Sequence, residues 1–204
     1  MTSLFLPHPA YAEEQEHART ILTFHVLRSG FVAGATVSLM TATSSLLFSR
    51  IRHQTPLSLS SFGRTSLIHA ARGGPIGLAL IGIVLVPYMH GREEIEWQDR
   101  SWRLLENRGQ VECDWWLLGG SAVGAAAAPF VLRRNAGAVA GKAIQGGVKS
   151  IGTATAVSGG ASLGSVTGML AYLARPGSPS RGGQEIVDAS RDVAKEGIEV
   201  AKGK

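Results

Sequence analysis

With 204 residues and a formal net charge of +5, the chain has room for one domain or for a small multi-spanning membrane protein. Its one cysteine, Cys113, excludes an internal disulfide framework and a cysteine-based metal cage. Hydrophobic residues make up an ordinary 45%, so the placement of the charges decides the class.

The 20 basic and 15 acidic residues fall in clusters separated by four uncharged runs, 29–49, 73–89, 115–132 and 151–174. A hydrocarbon core of roughly 30 Å takes about 20 apolar residues, with a range near 17–25, and all four runs are long enough. The chain therefore reads as an all-α membrane protein with four transmembrane helices, Gly-rich and close-packed, and a short interfacial helix between spans 2 and 3. A polar N-terminal tail is expected over 1–20, a four-helix transmembrane domain over 21–174, and a polar C-terminal tail over 175–204. The spans are placed at about 24–49, 73–90, 115–132 and 150–174. A soluble helical protein burying Gly/Ala-rich helices is the competing reading.

Residues 1–20 hold Pro7, Pro9, three glutamates and a single base, Arg19. That composition predicts neither a cleavable signal peptide nor an Arg-rich transit peptide, and it predicts order only where a partner holds the segment. Arg28, at the edge of the first run, is expected to snorkel toward water. The second half of that run is rich in hydroxyls, from Thr36 and Ser38 to Ser44 and Ser45, which usually bond back to the helix's own carbonyls.

Residues 50–72 carry Arg50, Arg52, Arg64 and Arg72 and no acid, and read as a basic loop on a lipid surface. Pro75 suits the first turn of the second span, and Tyr88 marks its interfacial end. The connector His90–Asp114 holds seven of the 15 acidic residues together with Trp97 and Trp102, and Trp115 and Trp116 follow it. Indole rings settle at headgroup level and charges reach water, so this stretch caps a transmembrane hairpin. A surface helix is expected from about Glu93 to Arg108, stopped by Gly109. Glu96/Arg100 and Asp99/Arg103 stand four apart in the favourable acid-first order. Ile95, Trp102 and Leu105 share a face that would lie on lipid or on a partner subunit; Trp97, Trp115 and Trp116 complete that expected partner interface.

After the third run come Arg133, Arg134, Lys142 and Lys149, again with no acid, and Gly137-x-x-x-Gly141, which allows the fourth span an earlier start. The tail beyond Pro176 and Pro179 is weakly amphipathic. Every uncharged run contains a GxxxG pair: Gly30/Gly34, Gly73/Gly77, Gly120/Gly124, and the triple Gly160/Gly164/Gly168. In lipid, small residues at this spacing let two backbones approach, and van der Waals packing drives association.

The Lys/Arg excess puts the first and third connections on the inner side named by the positive-inside rule, and both termini and the polar cap on the other. No Asp, Glu or Lys lies within a run, so no intramembrane proton relay is expected. The six histidines stand at no metal-ligand spacing, and no glycines form a phosphate loop. No cofactor, no metal and no enzymatic activity are therefore expected. Arg50, Arg52, Arg64, Arg72, Arg133 and Arg134 suit anionic headgroups such as cardiolipin better than nucleic acid.

Four short Gly-rich spans, basic inner loops and a charged segment running into Asp114-Trp115-Trp116-Leu-Leu-Gly-Gly-x-x-x-Gly124 resemble the protein-translocase channel family of the mitochondrial inner membrane. That family also includes a small accessory subunit of respiratory complex I. Glu94–Gly124 is also similar to an uncharacterised family of fungal membrane proteins sharing a Trp-Gln-Asp-Arg-Ser-Trp-Arg-Leu-Leu-Glu-Asn core. The resemblance implies a multi-pass protein of the mitochondrial inner membrane with both termini in the intermembrane space. It also implies a non-catalytic accessory subunit beside other membrane subunits of a respiratory assembly, the membrane arm of NADH:ubiquinone oxidoreductase being the first choice. A translocase or pore component is the alternative.

Overall fold

A computed structural model describes residues 8–54, 58–143 and 151–176; side chains are described for these except at 53, 133 and 135–143. These residues are helical with no strand: α1 Ala18–His53, α2 Leu59–Met89, α3 Glu94–Glu106, α4 Arg108–Ala143 and α5 Thr153–Ala174, with one 3-10 turn at Ala12–Glu14. Three helices are long and apolar enough to cross a membrane: α1, α2 and the first 25 residues of α4. The expected basic loop over 50–72 is largely helix. Ser58 starts α2 with a reciprocal cap: Ser61 N–H donates to Ser58 Oγ at 3.1 Å and Ser58 N–H to Ser61 Oγ at 3.3 Å. Arg64 and Arg72 therefore lie on helix, and Pro75 falls within it rather than in its first turn. Gly137 and Gly141 belong to α4 and give no early start to α5.

A proline inside a helix cannot donate to the carbonyl four residues back. Pro75 frees the Ala71 carbonyl in this way, and Ser158 Oγ of α5 donates to it at 2.9 Å. In a lipid-embedded bundle such a carbonyl needs a partner from a neighbouring helix. Ser158→Ala is expected to lower stability by about 1 kcal/mol, read as a shift in the thermal unfolding midpoint in detergent.

Antiparallel pairs form around the glycines. On α1 and α2, Gly30 meets Ile81, Gly34 meets Gly77 and Ser38 meets Gly73, a constant register. On α4 and α5, Gly124 faces Gly160, Gly120 faces Gly164, and Gly168 reaches the Trp116 backbone. A Cβ added to Gly34 would stand 2.8 Å from the Gly77 Cα, so the backbones are close enough that no side chain fits between them. α5 also packs on α2, with Gly159 against Leu67 and Ser162 against Gly74.

In the unit ending at Met169 the fully buried side chains are small, and many large apolar ones lie outside. Its most buried side chains include Ser101, Ser162 and Ser165, while Leu80, Ile83, Val84 and Val86 of α2 and Val123 and Phe130 of α4 are exposed. Apolar exposure on this scale marks a surface made for lipid or protein. The fourth uncharged run becomes α5, which is rich in Gly, Ser and Thr and is not among the three helices apolar enough to cross a membrane by composition. Its neighbours explain the composition: on its buried face it meets other helices. Residues 170–176 close α5 in a second unit, where the Arg175 guanidinium lies 4.7 Å over the Tyr172 ring.

Candidate functional site

α1 and α4 begin at the same end of the bundle, and there they trap a charge cluster. Arg28 pairs with Asp114 through Nη2 and Oδ1, and His25 Nδ1 stands 2.7 Å from Asp114 Oδ2. His25 and Arg28 are one turn apart on α1, so both side chains reach the same carboxylate. Because Asp114 is an acceptor, His25 Nδ1 carries the proton and donates; Arg28 Nη2, 3.1 Å from that nitrogen, then serves the carboxylate instead.

Arg28 is 8% exposed; instead of snorkelling it turns inward, because Asp114 offers its charge a partner inside. The α1–α2 register puts Arg28 near the level of Ile83, five residues from Tyr88, or roughly 8 Å along the helix. Arg28 Nε and Nη1 are buried without a hydrogen-bond partner among the described residues. Sequence reasoning missed this trio because each member lies just outside an uncharged run. Its one signal was an acid, Asp114, directly before a Trp-Trp interface pair.

The polar cap is a second constellation. α3 opens on acids, with Glu93 N–H donating to Glu96 Oε2 at 3.2 Å, and ends with Arg103, both suited to the helix dipole. Asn107 stops it in place of Gly109, and its Oδ1 accepts from the Gln110 N–H at 3.1 Å to start α4. Arg103 Nε donates to Asp99 Oδ1 at 3.0 Å. Glu96 pairs with Arg92 at 2.9 Å instead of with Arg100, because its capping role draws it toward the N-terminus. Arg100 lies 5.1 Å over the Tyr88 ring.

The N-terminal segment folds onto this helix. Trp102 Nε1 donates to the Pro9 carbonyl at 3.0 Å, and the His8 ring stacks on Trp102 at 5.2 Å. Gln98 Nε2 donates to the Glu13 carbonyl at 2.9 Å, and Arg19 Nη2 reaches Glu94 Oε2 at 2.6 Å. Residues 8–20 therefore use their own chain where a partner was expected. Trp102 is covered by that segment, and Trp97 lies under Arg19 at 5.7 Å. Leu105 is half-buried, while Trp115 and Trp116 are exposed on α4. Trp102→Ala is expected to release the N-terminal segment, so that limited proteolysis cuts before residue 20 at least tenfold faster than in the wild type, a shift of about 1.4 kcal/mol in the opening equilibrium.

The hydroxyls of α1 bond to its own carbonyls, as Thr36 Oγ1 does to Val32 and Ser44 Oγ to Met40, each at 2.9 Å. Arg50, Arg52, Arg64, Arg72 and Arg134 are all exposed. Expectations placed on the side chains of Arg133 and Lys142, on Lys149 and on the tail beyond residue 176 fall outside the described residues. Among the described residues, no three His, Cys, Asp or Glu side chains converge as a metal site. No protein-family model, no curated protein and no solved structure matches this chain.

Proposed function

We propose that the protein is a non-catalytic scaffold subunit of a mitochondrial inner-membrane respiratory assembly, with the membrane arm of NADH:ubiquinone oxidoreductase as the first candidate. The observation that carries the reading is the exposed apolar surface. Small and hydroxyl residues are used up in helix-to-helix contact, and Leu80, Ile83, Val84 and Val86 of α2 with Val123 and Phe130 of α4 face outward, where lipid and neighbouring subunits would meet them. α5 acts as the fourth span: its 22 residues extend about 33 Å, and its packing against α2 and α4 removes the need for an apolar surface all round. Glycine contacts hold the four spans together. Arg50, Arg52, Arg64, Arg72 and Arg134 lie toward the matrix and meet anionic phospholipid, cardiolipin among them; the cap and both termini face the intermembrane space. The exposed Trp115 and Trp116 and the outer faces of α2 and α4 receive the neighbouring subunits.

Native electrophoresis of detergent-solubilised mitochondrial membranes, with mass spectrometry of each band, tests the assignment. Co-migration with NADH:ubiquinone oxidoreductase is the expected result. Co-migration with a protein translocase, or migration as a free monomer, overturns it.

A further inference from the structure

A groove of about 590 Å3 runs along the outer side of the α1–α2 pair, within the 300–1,000 Å3 typical of small-molecule sites. Its two ends differ. Ala33, Leu80 and Val84 contribute to an apolar trough, and at the other end stand Thr41, His69 and Arg72. No acidic side chain lines it, and Arg72 has no acidic partner among the described residues. The His69 ring is held beside Arg72: Thr41 Oγ1 donates to the Ser38 carbonyl at 2.8 Å, so His69 Nδ1–H donates to Thr41 Oγ1 at 3.3 Å.

From Arg72 to Val84 the groove follows twelve residues of α2, about 18 Å, close to the ~15 Å of one leaflet's hydrocarbon. Arg72 also lies sixteen residues from Tyr88, about 24 Å along α2, which brings it to headgroup depth opposite the cap. An apolar trough one leaflet long, ending at a guanidinium at headgroup level, matches an amphiphile with a single anionic group. We infer that this groove is a built site for one anionic phospholipid, an acyl chain lying between α1 and α2 and its phosphate on Arg72. A guanidinium grips phosphate oxygens in a bidentate fork, whereas an apolar helix from another subunit would leave Arg72 without a counter-charge. The inference rests on the membrane placement of α1 and α2 and not on the choice of assembly.

The test uses the full chain purified in detergent, exposed to equal amounts of dioleoyl phosphatidylglycerol and dioleoyl phosphatidylcholine, with retained lipid counted by native mass spectrometry. The wild type is expected to hold one phosphatidylglycerol in preference to phosphatidylcholine. Arg72→Gln should lower that preference about fivefold, the effect of one basic residue near a lipid surface. Ala33→Phe, which fills the trough, should abolish retention of both lipids while leaving the helical circular dichroism unchanged. Undiminished retention in both variants overturns the proposal. So does an equal loss in Arg134→Gln, which would mean non-specific annular lipid. Loss of a co-purifying subunit from Ala33→Phe with lipid retention unchanged also overturns it, because the occupant is then a helix. Release of the untreated protein from membranes by alkaline carbonate would overturn the membrane reading itself, apart from the groove.

Discussion

Replacing Asp114 with alanine is expected to destabilise the protein by about 3–5 kcal/mol, the cost of leaving one partner of a buried ion pair uncompensated. Arg28 would remain buried with no carboxylate to face, and His25 would lose the acceptor that orients its ring. The same reasoning makes the reverse experiment informative. Two well-packed apolar side chains often replace a buried ion pair at little net cost. The double variant Arg28→Met, Asp114→Leu should therefore recover most of the lost stability, falling short by about 1 kcal/mol for the orphaned His25 donor. Thermal unfolding of the purified protein in detergent, followed by loss of the monodisperse species, measures both variants against the wild type. A double variant as unstable as the single one would show that the cluster contributes through shape or through a missing ligand rather than through charge pairing.

The second large effect comes from two adjacent glycines on α4. A Cβ on Gly120 would stand 3.0 Å from the Gly164 carbonyl carbon and 3.1 Å from the Gly168 Cα, while a Cβ on Gly119 would meet nothing within 4 Å. Gly120→Ala must push two backbones apart, and overpacking of that kind costs about 1–3 kcal/mol. Gly119→Ala has only the helix-propensity gain, about 0.5–1 kcal/mol of stabilisation. Neighbouring positions with the same substitution are thus expected to shift the unfolding midpoint in opposite directions. Equal shifts would mean that α4 and α5 do not meet along Gly120, Gly124, Gly160 and Gly164.

The two predictions probe different forces at the two sides of the bundle. Between α1 and α4 the contact is electrostatic and specific to three side chains. Between α4 and α5 it is dispersion between backbones that only glycine allows to meet, the kind of packing that holds helices together where lipid is as apolar as the side chains.

The uncharged runs, the absence of strands among the described residues, the polar cap and the spacing of the glycines were all legible in the chain itself. Each is a local property: run length sets what can span a bilayer, and acids at Glu94 and Glu96 followed by Arg103 suit a helix from its first turn to its last. The hydroxyls of α1 were legible for the same reason, since a Thr or Ser on a helix finds a carbonyl one turn back.

What the chain could not decide by itself was which groups meet across it. Arg28 at the edge of an apolar run reads as a snorkelling cation until Asp114, 86 positions later, is placed beside it. Trp102 reads as a partner-binding face until the backbone at Pro9 folds over it. Pro75 reads as a helix start until Ser58 caps the helix four turns earlier and Ser158 satisfies the carbonyl that the proline frees. The fourth run reads as a span like the other three until its packing on α2 and α4 explains why Gly and Ser replace Leu on it. Hydropathy reports what a residue prefers as a neighbour, and only the tertiary structure assigns that neighbour.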